Sequence, residues 1–413
     1  MTREKGRKMK RPSLECVRCN REFPINLVNA RCKDCDEPLE VRYDLSSIPR
    51  DWFAVQRAGP FFERYAPFYS YLKTNPSLSL GEGGTSLIGA NHLSEKLRLE
   101  GLFFKNETQN PTWTFKDRGT ALSLQNAVSL GYRRMGTLSS GNMGASVAAF
   151  GSRAGLDTFI LLKENVPREK IDALAIYGVK AIRVSGNYGH VYTMTSELGN
   201  RFDIYFSISD EPMRVEGYKS LAFEICEQMT WELPDYVALP IGSGGLCRGV
   251  LKGFEELHAV GIVDTVPRFI GVQTEGCSPT VDAYEKGIDR IEPFTNPLTL
   301  DHVLENPNPP SGNQVIRKIR ANGGTLLKVR NDEILSAQLL LAHEGIFAQP
   351  ASAVALAGVI RCAERGLIPE EARVVSVITG SGLKYPPVLG EFGFSPIETS
   401  LDGLSRAVER LIE

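Results

Sequence analysis

The chain has almost no net charge: 47 lysines and arginines against 49 acids leave −2 at pH 7 over 413 residues. No strong field therefore draws it to nucleic acid or to a membrane surface. Long apolar runs are missing, so no segment is expected to span a bilayer. The start, Met1 to Arg11, is basic but leads to Glu15 and a cysteine pair rather than to an apolar stretch. That is not a secretory signal. A solvated tail is expected there, and so few charges would hold nucleic acid only weakly. Histidine is scarce, five scattered residues with no His-Glu-x-x-His, which disfavours catalytic zinc. No Gly-x-Ser-x-Gly introduces a serine nucleophile. Eight cysteines in a chain this long do not make a disulfide scaffold. With no export signal they imply a reducing, cytoplasmic setting.

What is present is ordinary in bulk, 42% hydrophobic and 23% charged, and long enough for two or three folded units. Half of the cysteines lie in twenty residues, as Cys16-x-x-Cys19 and Cys32-x-x-Cys35. Two such pairs wrap four thiolates around one zinc. Four cysteine ligands leave no position for water, so the site would be structural; the alternative is two reduced pairs without metal. Ser46, Ile48 and Pro49 read as a linker. The aromatic stretch from 50 to 80 is broken by Pro60, Pro67 and Pro76. It reads as short helices and loops that cover a neighbouring surface or meet a partner.

From Leu80 onward strands and helices alternate, which argues for parallel strands with helical crossovers. Leu102–Lys105 is a short apolar strand. Asn110-Pro111 stops it, and Thr112 or Thr114 is placed to cap a helix starting near Phe115. Lys116 then falls in the first turn, where the helix dipole disfavours an ammonium. Such a lysine is either a solvated accident or a reactive amine. Next come strand Thr137-Leu138, the turn Ser139-Ser140-Gly141-Asn142-Met143-Gly144 and a small-residue helix, an arrangement suited to an anion such as a carboxylate. Strand Tyr236–Ile241 runs into Gly242-Ser243-Gly244-Gly245-Leu246 and a helix from Arg248 to Leu257. That turn suits a phosphate or is a plain tight connection. It lacks the P-loop lysine and dinucleotide spacing, so a nucleotide is not the favoured ligand. Val374–Ile378 is a buried-strand run ending in Thr379-Gly380-Ser381-Gly382-Leu383-Lys384. A hydroxyl there stands where open α/β sheets bind ligands, or bonds only its own turn.

In order, these features resemble the pyridoxal-phosphate enzymes of the tryptophan-synthase-β fold, and most closely the threonine synthases. Asn110–Gly119 resembles that family's Asn-Pro-Thr-Gly-Ser-Phe-Lys-Asp-Arg-Gly. Arg214–Lys219 resembles Arg-Ile-Glu-Gly-Gln-Lys, Glu344–Ala353 resembles Glu-Gly-Ile-Phe-x-x-Pro-Ala-Ser-Ala, and Thr379–Lys384 resembles Thr-Gly-x-Gly-Leu-Lys. The resemblance implies an α/β protein of fold type II, with two doubly wound parallel-sheet domains and an N-terminal zinc-ribbon-like segment. The expected division is 1–48 for the tail and ribbon, 49–130 with 211–413 for a large cofactor-binding domain, and 131–210 for a small middle domain. It implies that Lys116 carries pyridoxal phosphate as a Schiff base and moves protons. Asn142 would bond the ring hydroxyl. Gly242, Ser243, Gly244, Gly245 and Leu246 would hold the phosphate, and Thr379 would face the ring nitrogen. Ser139, Ser140 and the Met143 amide would take the substrate carboxylate, and Cys16, Cys19, Cys32 and Cys35 the structural zinc.

The implied activity is a carbon–oxygen lyase in amino-acid biosynthesis, converting O-phosphohomoserine and water to threonine and phosphate. The alternative is a β-replacement or elimination enzyme with the same cofactor, such as a cysteate or cysteine synthase or a threonine/serine dehydratase. Partners expected are a small amino-acid substrate and a second copy in a homodimer, with no nucleic acid and no membrane. Four positions depart from the family pattern: Trp113 replaces a common glycine, Thr114 a serine, Leu246 an asparagine, and Glu211 an asparagine near the substrate phosphate. A carboxylate at 211 would repel a phosphate ester.

Overall fold

The computed structural model describes residues 11–28, 31–55, 57–164, 166, 168–185, 188–393 and 396–412. The basic start up to residue 10 lies outside the described residues, as does Pro167, where the sequence predicts a helix running to Tyr177 to begin. The chain opens on a small antiparallel sheet, β1 (Ser13–Cys16), β2 (Glu22–Pro24) and β3 (Leu39–Arg42), with β1 in the middle. β3 was not expected, because the run from Cys35 to Pro49 reads as polar linker. Its alternate residues Leu39 and Val41 are buried on Leu14 and Met213, and that alternation makes it a strand.

The larger sheet begins with β4 (Leu87–Gly89) and β5 (Gly101–Asn106). The smaller sheet follows: β6 (Arg134–Leu138), β7 (Asp157–Lys163), β8 (Lys180–Val184) and β9 (Tyr205–Phe206). Then β10 (Tyr236–Pro240), β11 (Arg268–Thr274), β12 (Thr325–Val329) and β13 (Arg373–Ile378) complete the larger one. Its order is β12-β11-β10-β13-β5-β4, parallel except for β4; the smaller runs β8-β7-β6-β9 and is parallel throughout. Parallel strands covered on both faces read as continuous apolar runs. Val374–Ile378 and Val237–Leu239 do so, each nearly fully buried.

The order matters for the site. Strands β10, β13 and β5 are neighbours, so the loops leaving their carboxyl ends emerge side by side. Those loops carry the glycine turn, Thr379 and Lys116. Between β10 and β13 the chain order reverses, the kind of crevice where open α/β sheets take ligands. The loop after β6, with Ser139 and Ser140, comes from the smaller sheet.

Candidate active site

Lys116 is the first residue of the helix Lys116–Ser129, whose N-cap is Phe115 with no side-chain cap bond. Of the two threonine caps expected from sequence, Thr112 is engaged otherwise, and Thr114 accepts one long bond from the helix's first amide. Thr112 donates its hydroxyl to Asp117 Oδ1 at 2.6 Å, and Asp117 Oδ2 accepts from the Thr112 amide at 2.7 Å. Thr114 donates to the Thr379 carbonyl at 3.2 Å, and its oxygen lies 3.4 Å from the Lys116 amide. An acid does occupy the first turn, as the dipole prefers, but it is Asp117. The Lys116 amine, largely desolvated and near the Arg214 guanidinium, is pushed down to about 7. It is thus substantially neutral at physiological pH, the state a nucleophilic amine needs.

Arg214 carried no assigned role in the sequence reading. It is fully buried, and its donors go to neutral oxygens: Thr120 Oγ1 at 3.0 Å, Ser207 Oγ at 2.9 Å and the Lys116 carbonyl at 3.4 Å. Its Nε has no hydrogen-bond partner, and no carboxylate pairs with it among the described residues. Between Glu211 and Glu216 such an arginine looks like a surface charge. Its burial comes from tertiary packing that spacing does not reveal.

Glu211 is not placed to repel a substrate. It is buried and N-caps the helix Pro212–Tyr218, accepting from the Met213 and Arg214 amides, each at 2.9 Å. Ser123 at 2.6 Å and Tyr205 at 2.8 Å donate to it as well. Burial pushes its carboxyl up despite these donors.

Three loops are stitched together around Lys116. The Phe115 amide donates to the Thr379 carbonyl at 3.0 Å, and the Ser381 amide to the Trp113 carbonyl at 3.1 Å. Thr379 is buried, its hydroxyl 3.0 Å from Ser352 Oγ. Ser352 also donates to the Gly380 carbonyl and accepts from the Gly380 amide. Gln349 N-caps the helix Pro350–Glu364, and its Oε1 accepts from Asn142 Nδ2 at 3.2 Å. That bond ties the smaller sheet's first helix to the larger sheet. Gln349 and Ser352 were missed as individual site residues, although both lie in a segment that carried the resemblance.

The turn after β10 holds the glycines. The following helix spans Gly245–Val260 and so begins three residues earlier than expected, making Gly245 and Leu246 its first turn. Gly244 is the N-cap at φ +89°, with no side-chain cap. A Cβ on it would stand 2.9 Å from Val315 Cγ2 and 3.0 Å from Ser311 Cβ, so only glycine fits. The buried first-turn amides of a 16-residue helix, uncapped by any side chain, make an anion cradle. Tyr218 connects this cradle to the lysine. Its ring is 5.1 Å from Phe115 and 3.8 Å from where a Cβ on Gly245 would stand, and its buried hydroxyl has no hydrogen-bond partner among the described residues.

Ser139 and Ser140 precede the helix Asn142–Arg153, whose N-cap Gly141 likewise has no side-chain cap bond. Met143 lies in its first turn. Hydrogen bonds thus join the lysine loop to the Thr379 loop, and Asn142 to Gln349; a lowered lysine, an uncapped glycine turn, a strand-end hydroxyl and a serine turn are together the kind of donor set that suits pyridoxal phosphate.

Away from the crevice, all four thiol sulfurs of Cys16, Cys19, Cys32 and Cys35 lie within 4.8 Å of one another. Neighbouring pairs are at 3.4, 3.6 and 3.9 Å. Four sulfurs at about 2.3 Å from a central zinc have edges of about 3.8 Å, so the set fits that ion. Cys226, Cys247, Cys277 and Cys362 are buried and free, as expected of core residues. No helix among the described residues is long and apolar enough to cross a membrane.

Comparison with known proteins follows the same lines. A profile of pyridoxal-phosphate dependent enzymes matches residues 78–380. The threonine synthase of Methanocaldococcus jannaschii is 35% identical over 94% of this chain and 96% of its own. That of Methanosarcina acetivorans is 34% identical over 96% and 98%. Among solved structures, maize serine racemase superposes with a TM-score of 0.64 at 18% identity, covering 81% of this chain and 95% of that one. A tomato (Solanum lycopersicum) threonine deaminase gives 0.62 at 22%, covering 76% and 88%; at such identities the likeness concerns the fold. The chain belongs to the pyridoxal-phosphate dependent enzymes and, within them, to the threonine synthase family.

Proposed function

We propose that this enzyme is a threonine synthase, converting O-phosphohomoserine and water to threonine and inorganic phosphate. The observation that carries the reading is Lys116 beside Arg214, a buried guanidinium without a carboxylate partner among the described residues. An uncompensated buried cation is costly, and it favours chemistry on an anionic substrate. Full-length similarity to two threonine synthases supports the same choice.

Bound pyridoxal phosphate supplies an electron sink for carbanions next to the substrate's amino group. Lys116 would hold it and would then move protons at the substrate carbons, a role that fits an amine poised near pH 7. Gly242, Ser243, Gly244, Gly245 and Leu246 would hold its phosphate through backbone amides. Asn142 would bond the ring hydroxyl, and Thr379, whose hydroxyl lies 3.0 Å from Ser352 Oγ, would face the ring nitrogen. Ser139, Ser140 and the Met143 amide orient the substrate carboxylate.

A second reading is β-replacement or elimination on O-phosphoserine or a related serine or threonine. Trp113 favours it: the indole is 52% exposed on a left-handed backbone (φ +60°), three residues before the lysine, and a bulky ring there suits a shorter substrate. Purified enzyme supplied with each phosphate ester separates the two. Equimolar threonine and phosphate from O-phosphohomoserine supports the first; phosphate from O-phosphoserine alone supports the second.

Zinc in the Cys16, Cys19, Cys32 and Cys35 set is a closed structural site in this reading, supported by the sulfur spacing. The proposed division is a basic tail and zinc-ribbon-like segment (1–48), a cofactor domain (49–130 and 211–413) and a middle domain (131–210). A cytoplasmic homodimer completes the proposal; the free thiols agree with a reducing compartment, and a two-fold dimer is the commonest assembly.

A further inference from the structure

The ribbon is not a loose appendage, because its outer strand is bonded to the elements that shape the glycine turn. β3 pairs with β1 so that Leu39 stands opposite Cys16. The Leu39 carbonyl accepts from Arg248 Nη2 at 3.1 Å, and the Val41 carbonyl from Lys252 Nζ at 2.6 Å. Both basic residues belong to the helix Gly245–Val260. Glu37, two residues beyond Cys35, accepts from Asn313 at 2.8 Å and Arg317 at 3.0 Å. These lie on the helix Gly312–Asn322, whose N-cap is Ser311.

Arg248 closes the circuit. Its Nη1 donates to Ser311 Oγ at 3.0 Å, and the Ser311 amide donates to the Ser243 carbonyl at 3.1 Å. Ser311 and Val315 also press against Gly244. A continuous path therefore runs from Cys16 through Leu39, Arg248 and Ser311 to Ser243 and Gly244. Arg248 is fully buried, sits 4.0 Å from Glu40, and leaves its Nε without a partner among the described residues. An arginine bonded at only part of its fork has little to hold it once the Leu39 carbonyl moves.

We propose that the cysteine ribbon is the outer wall of the cofactor's phosphate site, and that Arg248 is the positioning residue through which metal in the ribbon sets pyridoxal-phosphate affinity. The proposal rests on the zinc reading above. It concerns the phosphate end of the cofactor alone, because the path reaches Ser243 and Gly244 and does not pass through Lys116.

The test measures dissociation constants for pyridoxal phosphate and for pyridoxal, which lacks the phosphate, by absorbance titration of the full chain. Metal content is read separately by elemental analysis. With ribbon metal removed by a chelator, pyridoxal phosphate is expected to bind roughly tenfold more weakly, about the worth of one lost hydrogen bond. Pyridoxal binding is expected unchanged, and added zinc restores the difference. Arg248→Gln, zinc still bound, is expected to reproduce the phosphate-specific loss and Arg248→Lys to recover part of it; this arm also serves if the metal-free chain unfolds. Equal affinities with and without metal, or a loss shared by pyridoxal, would overturn the proposal. A chain that takes up no metal at the four cysteines would instead overturn the zinc reading beneath it.

Discussion

Replacing Gly244 by alanine puts the cradle to a quantitative test. Two costs add at this position. The backbone sits at φ +89°, where an L-residue costs about 1–2 kcal/mol. The new methyl would also meet Val315 Cγ2 at 2.9 Å, Ser311 Cβ at 3.0 Å and the Ser311 carbonyl carbon at 3.3 Å. Two of these neighbours are a Cβ and backbone, which yield little, so overpacking adds about 1–3 kcal/mol. The loop can relieve this strain only by moving away from the helix Gly312–Asn322, which displaces the first-turn amides. If most of the roughly 2–5 kcal/mol appears in cofactor binding, affinity falls by about thirtyfold to a few thousandfold. Gly242→Ala is the control: a Cβ there meets nothing within 4 Å, so the cofactor-free protein should melt as the parent does. Absorbance titration with pyridoxal phosphate and thermal melts of the cofactor-free proteins give both quantities. Parent-like melting and parent-like affinity for Gly244→Ala would refute the cradle.

Other positions give sharper single outcomes. With the Lys116 amine lowered to about 7 from an ordinary 10.5, the rate of pyridoxal-phosphate capture should rise with pH through a midpoint near 7. Between those values the unfolded chain binds the extra proton, so the cofactor-free protein gains stability as pH rises across that window. A midpoint near 10 in stopped-flow capture would show a solvated lysine. Glu211→Ala strands the Met213 and Arg214 amides, Ser123 and Tyr205. A cost of about 3 kcal/mol in urea unfolding is expected. Glu211→Gln is expected to leave KM for a phosphate ester unchanged, and a several-fold drop in KM would mean that the carboxylate does face substrate. Trp113→Gly removes left-handed strain of about 1 kcal/mol and adds chain entropy of about the same size. Its melting temperature should match the parent's, and a marked loss would mean that the indole packs as core.

Much of the site was legible because its chemistry is local in sequence. An apolar run followed by Gly242–Gly245 announces a strand, a turn and a helix N-terminus whatever surrounds it. Thr379 was readable for the same reason, at the end of Val374–Ile378. What no spacing supplied was the order β10-β13-β5, which sets these two loops beside the lysine loop. Burial decided the two residues that sequence left wrong or unassigned: Glu211, expected to face a substrate phosphate, instead caps the helix Pro212–Tyr218, and Arg214, given no role, donates to the Lys116 carbonyl. β3 was passed over because four residues between acids and prolines carry too little pattern. Only its contacts with Met213, Arg248 and Lys252 make it part of the core.

Which lysine carries the cofactor is the most direct test of the whole account. Lys384 is a built-in competitor. It is half-buried, its amine is also lowered by desolvation, and it donates to the Thr112 carbonyl at 2.9 Å on the same loop as Lys116. Borohydride reduction of the holoenzyme followed by peptide mass spectrometry reads the answer without assuming any substrate. A stoichiometric pyridoxyl adduct on Lys116, absent from Lys116→Ala, is the expected result. An adduct on Lys384, or on neither residue, would contradict the site described here.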